Sequence, residues 1–358
     1  MTFDEPYQLI VHHRKELEEY KNNHPPEHPG DYREEANRHI DILLNFIEEN
    51  IGAAIKAEEA RHMKDPPLCT FEYLWLLFKP GEEAYMTDDF NPDKKRAVVI
   101  SKVLKHRDDK YEIDSFNVKF DGRMIDSSKW WSDLYSFEGE REINWLILYP
   151  TKYHQEKLDK QDNLPLRDKL IGHGKMYWKF CNQAYMEYSG KLADRGPNSK
   201  KFNGRVIIDV KAWNQFAPDK PGGPPGPAPA HGPVAPRRKV RAARSSNPSA
   251  PRRAMRPSSF DYMSVMPGAC TCEFCKDKPS TLTSKRFRGY KFWDPKKDTP
   301  EDETLYFLCN DTLEGYILSD REWGVFDVAC LKEPVMSNAF DYLVLGEHPA
   351  SVIGTSRF

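Results

Sequence analysis

The chain has 358 residues, which is more than one ordinary domain requires. Its 53 lysines and arginines nearly balance 55 aspartates and glutamates, so the net charge of −2 excludes a globally basic nucleic-acid-binding protein. The sequence has no apolar run long enough for a transmembrane helix, no secretion signal and no framework of paired cysteines, because its seven cysteines are irregularly spaced. We therefore expect an intracellular protein, in the nucleus or the cytoplasm, with no membrane partner.

Residues 1–65 are predicted to form a helical lead-in. Apolar side chains recur every three or four residues from Asp31 to Met63, which indicates one long amphipathic helix. The earlier segment PYQLIVHHRKELEEYK is expected to begin as a strand and then to turn helical. The apolar stripe of the long helix is narrow, so we predict that Ile47 contacts a partner or a second copy of the chain. On this interpretation Ile47→Glu weakens association but leaves the fold intact.

Residues 66–215 are predicted to form an α+β domain with a β-rich core. The nearly all-apolar segment FEYLWLLF should be buried and should anchor the sheet through Trp75. Strands are expected at EAYM, RAVVISKVLKH, KYEIDSFNVKF and EINWLILY, with a turn at Asp121-Gly122. A helix over Pro165–Phe180 and a buried strand at RVIID follow.

Residues 216–262 are predicted to form a disordered linker. Eleven of the 28 prolines lie between Pro218 and Pro257, where almost no side chain is apolar enough to be buried. The second half of this segment is cationic, which suggests a nuclear-targeting signal, a contact with an acidic surface or nucleic acid, or simply a solubilising linker. The candidate interaction residues are Arg237, Arg238, Lys239, Arg241 and Arg244.

Residues 263–358 are predicted to form a short β-rich segment that packs on the preceding domain. Strands are expected at LYFLC, EGYIL and WGVFDVACL, and a further element at SNAFDYLVL. The whole pattern predicts an α+β fold: N-terminal helices followed by a mainly antiparallel sheet or small β-barrel, interrupted by the long disordered linker.

Three cysteines in ACTCEFCKD form the densest group of soft metal ligands in the sequence. The spacing C-x-C-x-x-C can place three thiolates around zinc, although a standard structural site has a second C-x-x-C pair that is missing here. The alternative is three ordinary reduced thiols beside the linker. The candidate zinc ligands are Cys270, Cys272 and Cys275, with Cys309, Cys330 or His231 as the fourth.

Aromatic residues are frequent around the predicted sheet, and two interpretations are open. They can form a cage for a methylated ammonium group, or they can simply fill the core of a small barrel. The residues concerned are Tyr85, Phe90, Phe120, Trp130 and Trp131.

Motifs of the common catalytic sites are missing from the sequence. The pairs Gly174-Lys175 and Gly190-Lys191 lack the upstream glycine and the following hydroxyl residue of a phosphate-binding loop. The sequence therefore predicts no enzyme, and no cofactor apart from zinc.

Several strings resemble a known family. PLCTFEYLWLLFKPGEEAYM, the triplet Phe120-Asp121-Gly122 and FEGEREINWLILYPTKYH resemble the uncharacterised region that precedes the ATPase module in fungal AAA-type ATPase-like proteins. The resemblance extends over most of the chain outside the linker. It implies a non-catalytic region, because the nucleotide-binding residues of that family have no counterpart here, and we expect a stand-alone or truncated relative.

The leading functional hypothesis is a protein-interaction region that recognises a client or an adaptor, or that self-associates. One alternative is a fragment of a longer ATP-hydrolysing AAA protein. Another is a nucleic-acid-associated or chromatin-associated protein that acts through the basic linker, in which case binding should weaken steeply with salt.

Overall fold

The structure is a computed structural model that describes residues 5–88, 94–106, 109–156, 164–193, 201–217 and 293–334. Within these ranges, N-terminal helices are followed by antiparallel sheets, which confirms the predicted α+β class. The helices are α1 (Gln8–His12), α2 (Arg14–Asn22), α3 (Gly30–Ile47), α4 (Ala53–His62), α5 (Leu166–Phe180), α6 (Val210–Phe216) and α7 (Glu303–Phe307). The strands are β1 (Leu68–Thr70), β2 (Glu83–Thr87), β3 (Lys95–His106), β4 (Lys110–Phe120), β5 (Ile125–Tyr135), β6 (Glu140–Glu142), β7 (Leu148–Pro150), β8 (Ala184–Lys191), β9 (Lys201–Ile208), β10 (Thr312–Ile317), β11 (Glu322–Asp327) and β12 (Leu331–Lys332).

The predicted long helix is present, with one local irregularity. Helices α3 and α4 are continuous through a π-helical turn at Glu48–Gly52. The segment before them is helical from the start, so the expected strand at its beginning is wrong. Ile10 and Val11 of α1 are buried in the core, and this tertiary packing outweighs the preference of β-branched residues for strands.

The apolar segment after β1 anchors the first sheet, as predicted. Leu74–Leu77 form a 3₁₀-helix, and the side chains of Leu74, Trp75 and Phe78 are almost completely buried. Tyr111 of β4 donates a hydrogen bond of 3.0 Å from its hydroxyl to the carbonyl of Glu72 beside this helix. This hydrogen bond and the buried side chains therefore hold the 3₁₀-helix against the first sheet.

The first sheet has the strand order β5-β4-β3-β2-β7 and is antiparallel throughout. A register shift between Ile100 and Lys102 interrupts the pairing of β3 with β4, and such irregularities bend a sheet. Although two strands separate β5 from β2, Ser132 Oγ lies 3.7 Å from Met86 Sδ. The sheet thus curls towards an open barrel, with β5 as one of its edges.

The second sheet has the order β11-β10-β9-β8-β12, with α5 and α7 packed together beside it. The string LYFLC, expected as a strand, lies mostly in α7 instead. The carboxylate of Asp302 accepts a hydrogen bond from the amide of Thr304 and so caps this helix, which favours helix over strand. Gly174 of α5 allows the close contact, because a Cβ there would lie 1.8 Å from the carbonyl oxygen of Tyr306.

Residues 293–334 complete the second sheet and also bind to the first. Val118 of β4 donates to the carbonyl of Leu308 and accepts from the amide of Asn310, both at 2.9 Å. Trp293 pairs with Ile125 at the start of β5. The C-terminal part of the described chain therefore connects both sheets. The predicted linker beyond Ala217 and the string SNAFDYLVL lie outside the described residues.

Candidate functional site

The outer edge of β5 carries a row of backbone groups that face away from the sheet. Ile125 exchanges two hydrogen bonds with Trp293 on this side, at 2.7 and 3.2 Å. Backbone groups alternate in direction along a strand, so every second residue after Ile125 also points outward. In the part of the chain that the structure describes, β5 pairs on this side only with Trp293. The outward-facing residues are Ser127, Lys129, Trp131, Asp133 and Tyr135.

A pocket of about 320 Å³, named here the aromatic pocket, opens beside the second half of this edge. Its walls include Trp130, Trp131 and Tyr135 of β5, Met86 of β2, and Ile147 before β7. Trp131 is 74% exposed and Tyr135 is 68% exposed. Large aromatic side chains exposed around a concavity are typical of interaction sites.

The floor of the aromatic pocket is fixed by polar contacts. The indole of Trp130 donates to Asn117 Oδ1 at 2.9 Å, and the guanidinium of Arg96 stacks 5.3 Å from the centre of the Trp130 ring. Arg96 also donates to both carboxylate oxygens of Asp311 at 3.1 Å and to Asp88 at 2.5 Å. The pocket is thus preorganised, because its central indole is held from two sides.

The same ionic network joins the two sheets. Lys94 forms ion pairs with Asp311, at 2.7 Å, and with Asp327. Asp311 is only 7% exposed. Burial raises the pKa of Asp311, but the nearby charges of Arg96 and Lys94 outweigh that effect, so its pKa lies below the ordinary value. Asp311 is therefore ionised at neutral pH, and its ion pair with Arg96 connects β3 to the segment that leads into the second sheet.

The sequence-predicted contact residue Ile47 does not lie on the surface. Its side chain is only 5% exposed and belongs to the hydrophobic core. The predicted contact at Ile47 is therefore wrong for this chain. The exposed apolar side chains of α3 are instead Ile42 and Phe46.

Other predicted site residues fall into two groups. Of the aromatic residues, Tyr85 and Phe120 are core, whereas Trp130 and Trp131 line the aromatic pocket. Cys309 and Cys330 are free thiols within the described residues. The other residues lie outside the described part of the chain, and the zinc and basic-contact hypotheses stay predictions. These residues are Phe90, His231, Arg237, Arg238, Lys239, Arg241, Arg244, Cys270, Cys272 and Cys275.

The thiols of two buried cysteines are harder to ionise than a catalytic thiol. Burial raises the pKa of Cys69 to about 12 and that of Cys181 to about 12, whereas nucleophilic cysteines have lowered pKa values. Across the described ranges, no group of His, Cys, Asp and Glu side chains is arranged to hold a metal ion. Each helix within those ranges is too short or too polar to cross a bilayer.

The sequence pattern does not predict β5 or its outer edge, which among the described residues pairs with Trp293 alone. The string IDSSKWWSDLY contains five polar or charged residues among its first eight and a final aromatic, so it has no clear strand alternation. The adjacent residues Trp130 and Trp131 are the feature of this string that could indicate a binding surface. Side chains of adjacent strand residues point to opposite faces of a sheet, yet both tryptophans line the aromatic pocket.

Comparison with known proteins gives one match. A family model described as a domain of unknown function (DUF7025) matches residues 59–155. This range includes the whole first sheet and all residues named above as walls of the aromatic pocket. No curated protein and no solved structure shows significant similarity to the chain.

Proposed function

We propose that this chain is a non-catalytic protein-interaction region that binds an extended segment of a client or adaptor. The segment adds as a strand to the outer edge of β5 and places one apolar side chain in the aromatic pocket. The single observation that carries this proposal is the coincidence of the two features. Trp131, Asp133 and Tyr135 present their backbone groups to the outer edge of β5, where no described residue pairs with them, and also line the pocket.

The energetics of strand addition suit this geometry. Main-chain hydrogen bonds supply affinity that does not depend on sequence, at about 0.5–1.5 kcal/mol each. A large apolar side chain buried in the pocket adds about 1.5–3 kcal/mol and selects the sequence. Because Trp130 is held by Asn117 and Arg96, the pocket need not be ordered by the ligand.

Two further observations support a binding role over catalysis. The buried thiols are held in their neutral form by their raised pKa values. The resemblance of most of the chain outside the linker to the region before the ATPase module of fungal AAA-type ATPase-like proteins supports the same role, since N-terminal regions of AAA-type proteins generally recognise clients or adaptors. We propose that this chain is related to that region of the fungal AAA-type ATPase-like proteins.

The proposal is tested by selecting 12-residue peptides from a random display library on the full chain. The strongest peptides are then measured by calorimetry against Lys129→Pro and Lys129→Thr. Proline removes one outward N–H, whereas threonine keeps it and suits a strand. We expect Lys129→Pro to weaken binding at least about tenfold and Lys129→Thr to leave it within about twofold, since one lost hydrogen bond and a clash suffice for that difference.

A third variant, Trp131→Ala, addresses the pocket. It should also weaken binding, because Trp131 supplies much of the exposed aromatic wall. Thermal melts establish that each variant is folded. If folded Lys129→Pro and Trp131→Ala both bind the selected peptides as wild type does, the interaction surface is not on β5.

A further inference from the structure

The outer edge of β5 can be covered symmetrically about one residue. Ile125, at the start of the strand, already pairs with Trp293 on this side. The rest of the edge, from Ser127 to Tyr135, pairs with no residue that the structure describes. Trp131 is the middle residue of this stretch, so a two-fold axis at Trp131 lets a second strand cover all of it.

The charged side chains of the same stretch are placed evenly about Trp131. Lys129 lies two positions before it, and Asp133 lies two positions after it. Side chains of alternate strand residues point to one face, so all three share the same face of the sheet. Lys129 is exposed, and the side chain of Asp133 keeps 28% of its surface exposed although it pairs with Lys110 at 2.9 Å. One face of the edge therefore has a cation, an exposed indole and a carboxylate at regular spacing.

We propose that β5 of a second copy of this chain pairs antiparallel with the outer edge of β5, about a two-fold axis at Trp131. This inference rests on the proposed strand addition and names its partner. Lys129 of each copy then lies directly opposite Asp133 of the other copy, and the two Trp131 residues lie opposite each other. The outward-facing residues from Ser127 to Tyr135 exchange about ten backbone hydrogen bonds across the interface, because each opposed pair of such residues exchanges two.

The order of the charges selects this register over the neighbouring ones. A two-fold axis at Lys129 or at Asp133 would place two like charges directly opposite each other, which destabilises a strand pair. An axis at Trp130 or Ser132 would place neither charge opposite the other. All four alternatives also cover a shorter part of the edge. The register at Trp131 is therefore the longest of the five, and it pairs opposite charges.

The aromatic residues of this edge support pairing over a bare edge. Natural proteins usually protect an unpaired strand edge by short length, prolines or charges. Strand β5 has 11 residues and no proline, and Trp131 is 74% exposed. Lys129 is a charge of the protective kind, but in the proposed register it meets a carboxylate. Pairing also places Trp131 against the same residue of the second copy, and aromatic pairs across strands are favourable.

A client and a second copy would use the same edge and therefore exclude each other. One strand pair buries little surface, so we expect a weak dimer with a dissociation constant of about 10–100 μM. Below that concentration most chains are monomers, and their edge is accessible to a client. Self-pairing thus covers the edge at high concentration and limits client binding there.

Sedimentation equilibrium of the full chain measures the dimer, and charge reversal tests its register. Lys129→Asp places two carboxylates opposite each other in both charged pairs, and Asp133→Lys places two ammonium groups there. Each variant should weaken dimerisation at least about tenfold. Lys15→Asp, at an exposed position of α2, changes the net charge as Lys129→Asp does and should leave the dissociation constant within about twofold of wild type. Thermal melts establish that each variant is folded.

Two combinations should restore dimerisation to within about threefold of wild type. The double variant Lys129→Asp/Asp133→Lys exchanges the two charges, so opposite charges again face each other. An equimolar mixture of the two single variants forms mixed dimers in which both pairs again join opposite charges. Rescue by both combinations requires residues 129 and 133 to face each other.

The proposal is overturned if the wild-type chain stays monomeric at about 300 μM. It is also overturned if the two folded single variants dimerise as wild type does, or if either combination fails to restore the dimer.

Display-selected peptides give a separate result for strand addition. They should dissociate the wild-type dimer, because they need the same edge. Peptides that bind a monomeric chain and are weakened by Lys129→Pro would leave strand addition standing and would overturn the second copy as its partner. Charge rescue of the dimer without any selected peptide would leave self-pairing standing and would contradict the client proposal.

Discussion

The contact between Gly174 and Tyr306 places a sharp constraint on a single residue. A Cβ at position 174 would overlap the carbonyl oxygen of Tyr306, whereas a Cβ at Gly172, in the same helix, meets no atom within 4 Å. We expect Gly174→Ala to lower the free energy of unfolding by about 1–3 kcal/mol through overpacking. Gly172→Ala should be neutral or stabilise by up to about 1 kcal/mol through helix propensity.

Denaturant unfolding of the full chain measures both glycine variants. The comparison controls for the substitution itself, because both changes add the same methyl group to α5. Equal stability of the two variants would show that α5 and α7 do not pack as described.

The pKa of Asp311 makes a signed prediction about acid stability. Its pKa in the folded chain lies below the ordinary value, so its ion pairs contribute stability above the unfolded pKa of about 3.9. This contribution is lost as the pH falls through the lower folded pKa. Asp311→Asn should therefore cost about 3 kcal/mol at pH 7 and less at pH 3.

The exposed Asp320, whose carboxylate accepts a hydrogen bond from Ser319, provides the control for that measurement. Asp320→Asn should change the free energy of unfolding by less than about 0.5 kcal/mol at either pH. A cost for Asp311→Asn that does not shrink at low pH would mean that the carboxylate is not ionised in the folded chain.

Helix α3 has buried and exposed apolar side chains close together. Ile47 is core, whereas Ile42 is 61% exposed on the same helix. We now expect Ile47→Glu to unfold the N-terminal helices, because a charge would be buried without a partner. Ile42→Glu should leave the melting temperature nearly unchanged. Melting curves followed by circular dichroism compare the two variants. If Ile47→Glu melts at the wild-type temperature, Ile47 is a surface residue and could contact a partner.

The elements with strong patterns could be read from the sequence. Each of three elements has a simple apolar pattern. The segment around Trp75 is a continuous apolar run, β4 alternates, and α3 has apolar residues every three or four positions. Strand β5 was missed because its outer face is polar and its tryptophans are adjacent. The string LYFLC predicts a strand because it is aromatic and apolar. The residue that favours a helix here is the cap Asp302, which lies before that string.

At the scale of the whole molecule, the candidate site could not be predicted from the sequence, because residues far apart in the chain form it. Arg96 and Asp311 are 215 residues apart in the chain, and the backbone hydrogen bonds of Val118 with Leu308 and Asn310 help to bring them together. Which edge of β5 lacks a paired strand among the described residues depends on the strand order, and the local sequence pattern does not encode that order. The tryptophan pair marked part of the aromatic pocket but could not reveal its opposite wall.

The central claim is that a partner adds as a strand to the outer edge of β5. Amide hydrogen exchange followed by NMR tests it most directly, because amides of alternate residues point to opposite sides. In the free chain, Lys129, Trp131 and Asp133 should exchange quickly while Trp130 and Ser132 exchange slowly. Saturation with a display-selected peptide should protect the three fast amides by at least about tenfold, since hydrogen bonding slows exchange. Unchanged exchange at all three in the saturated complex would contradict strand addition.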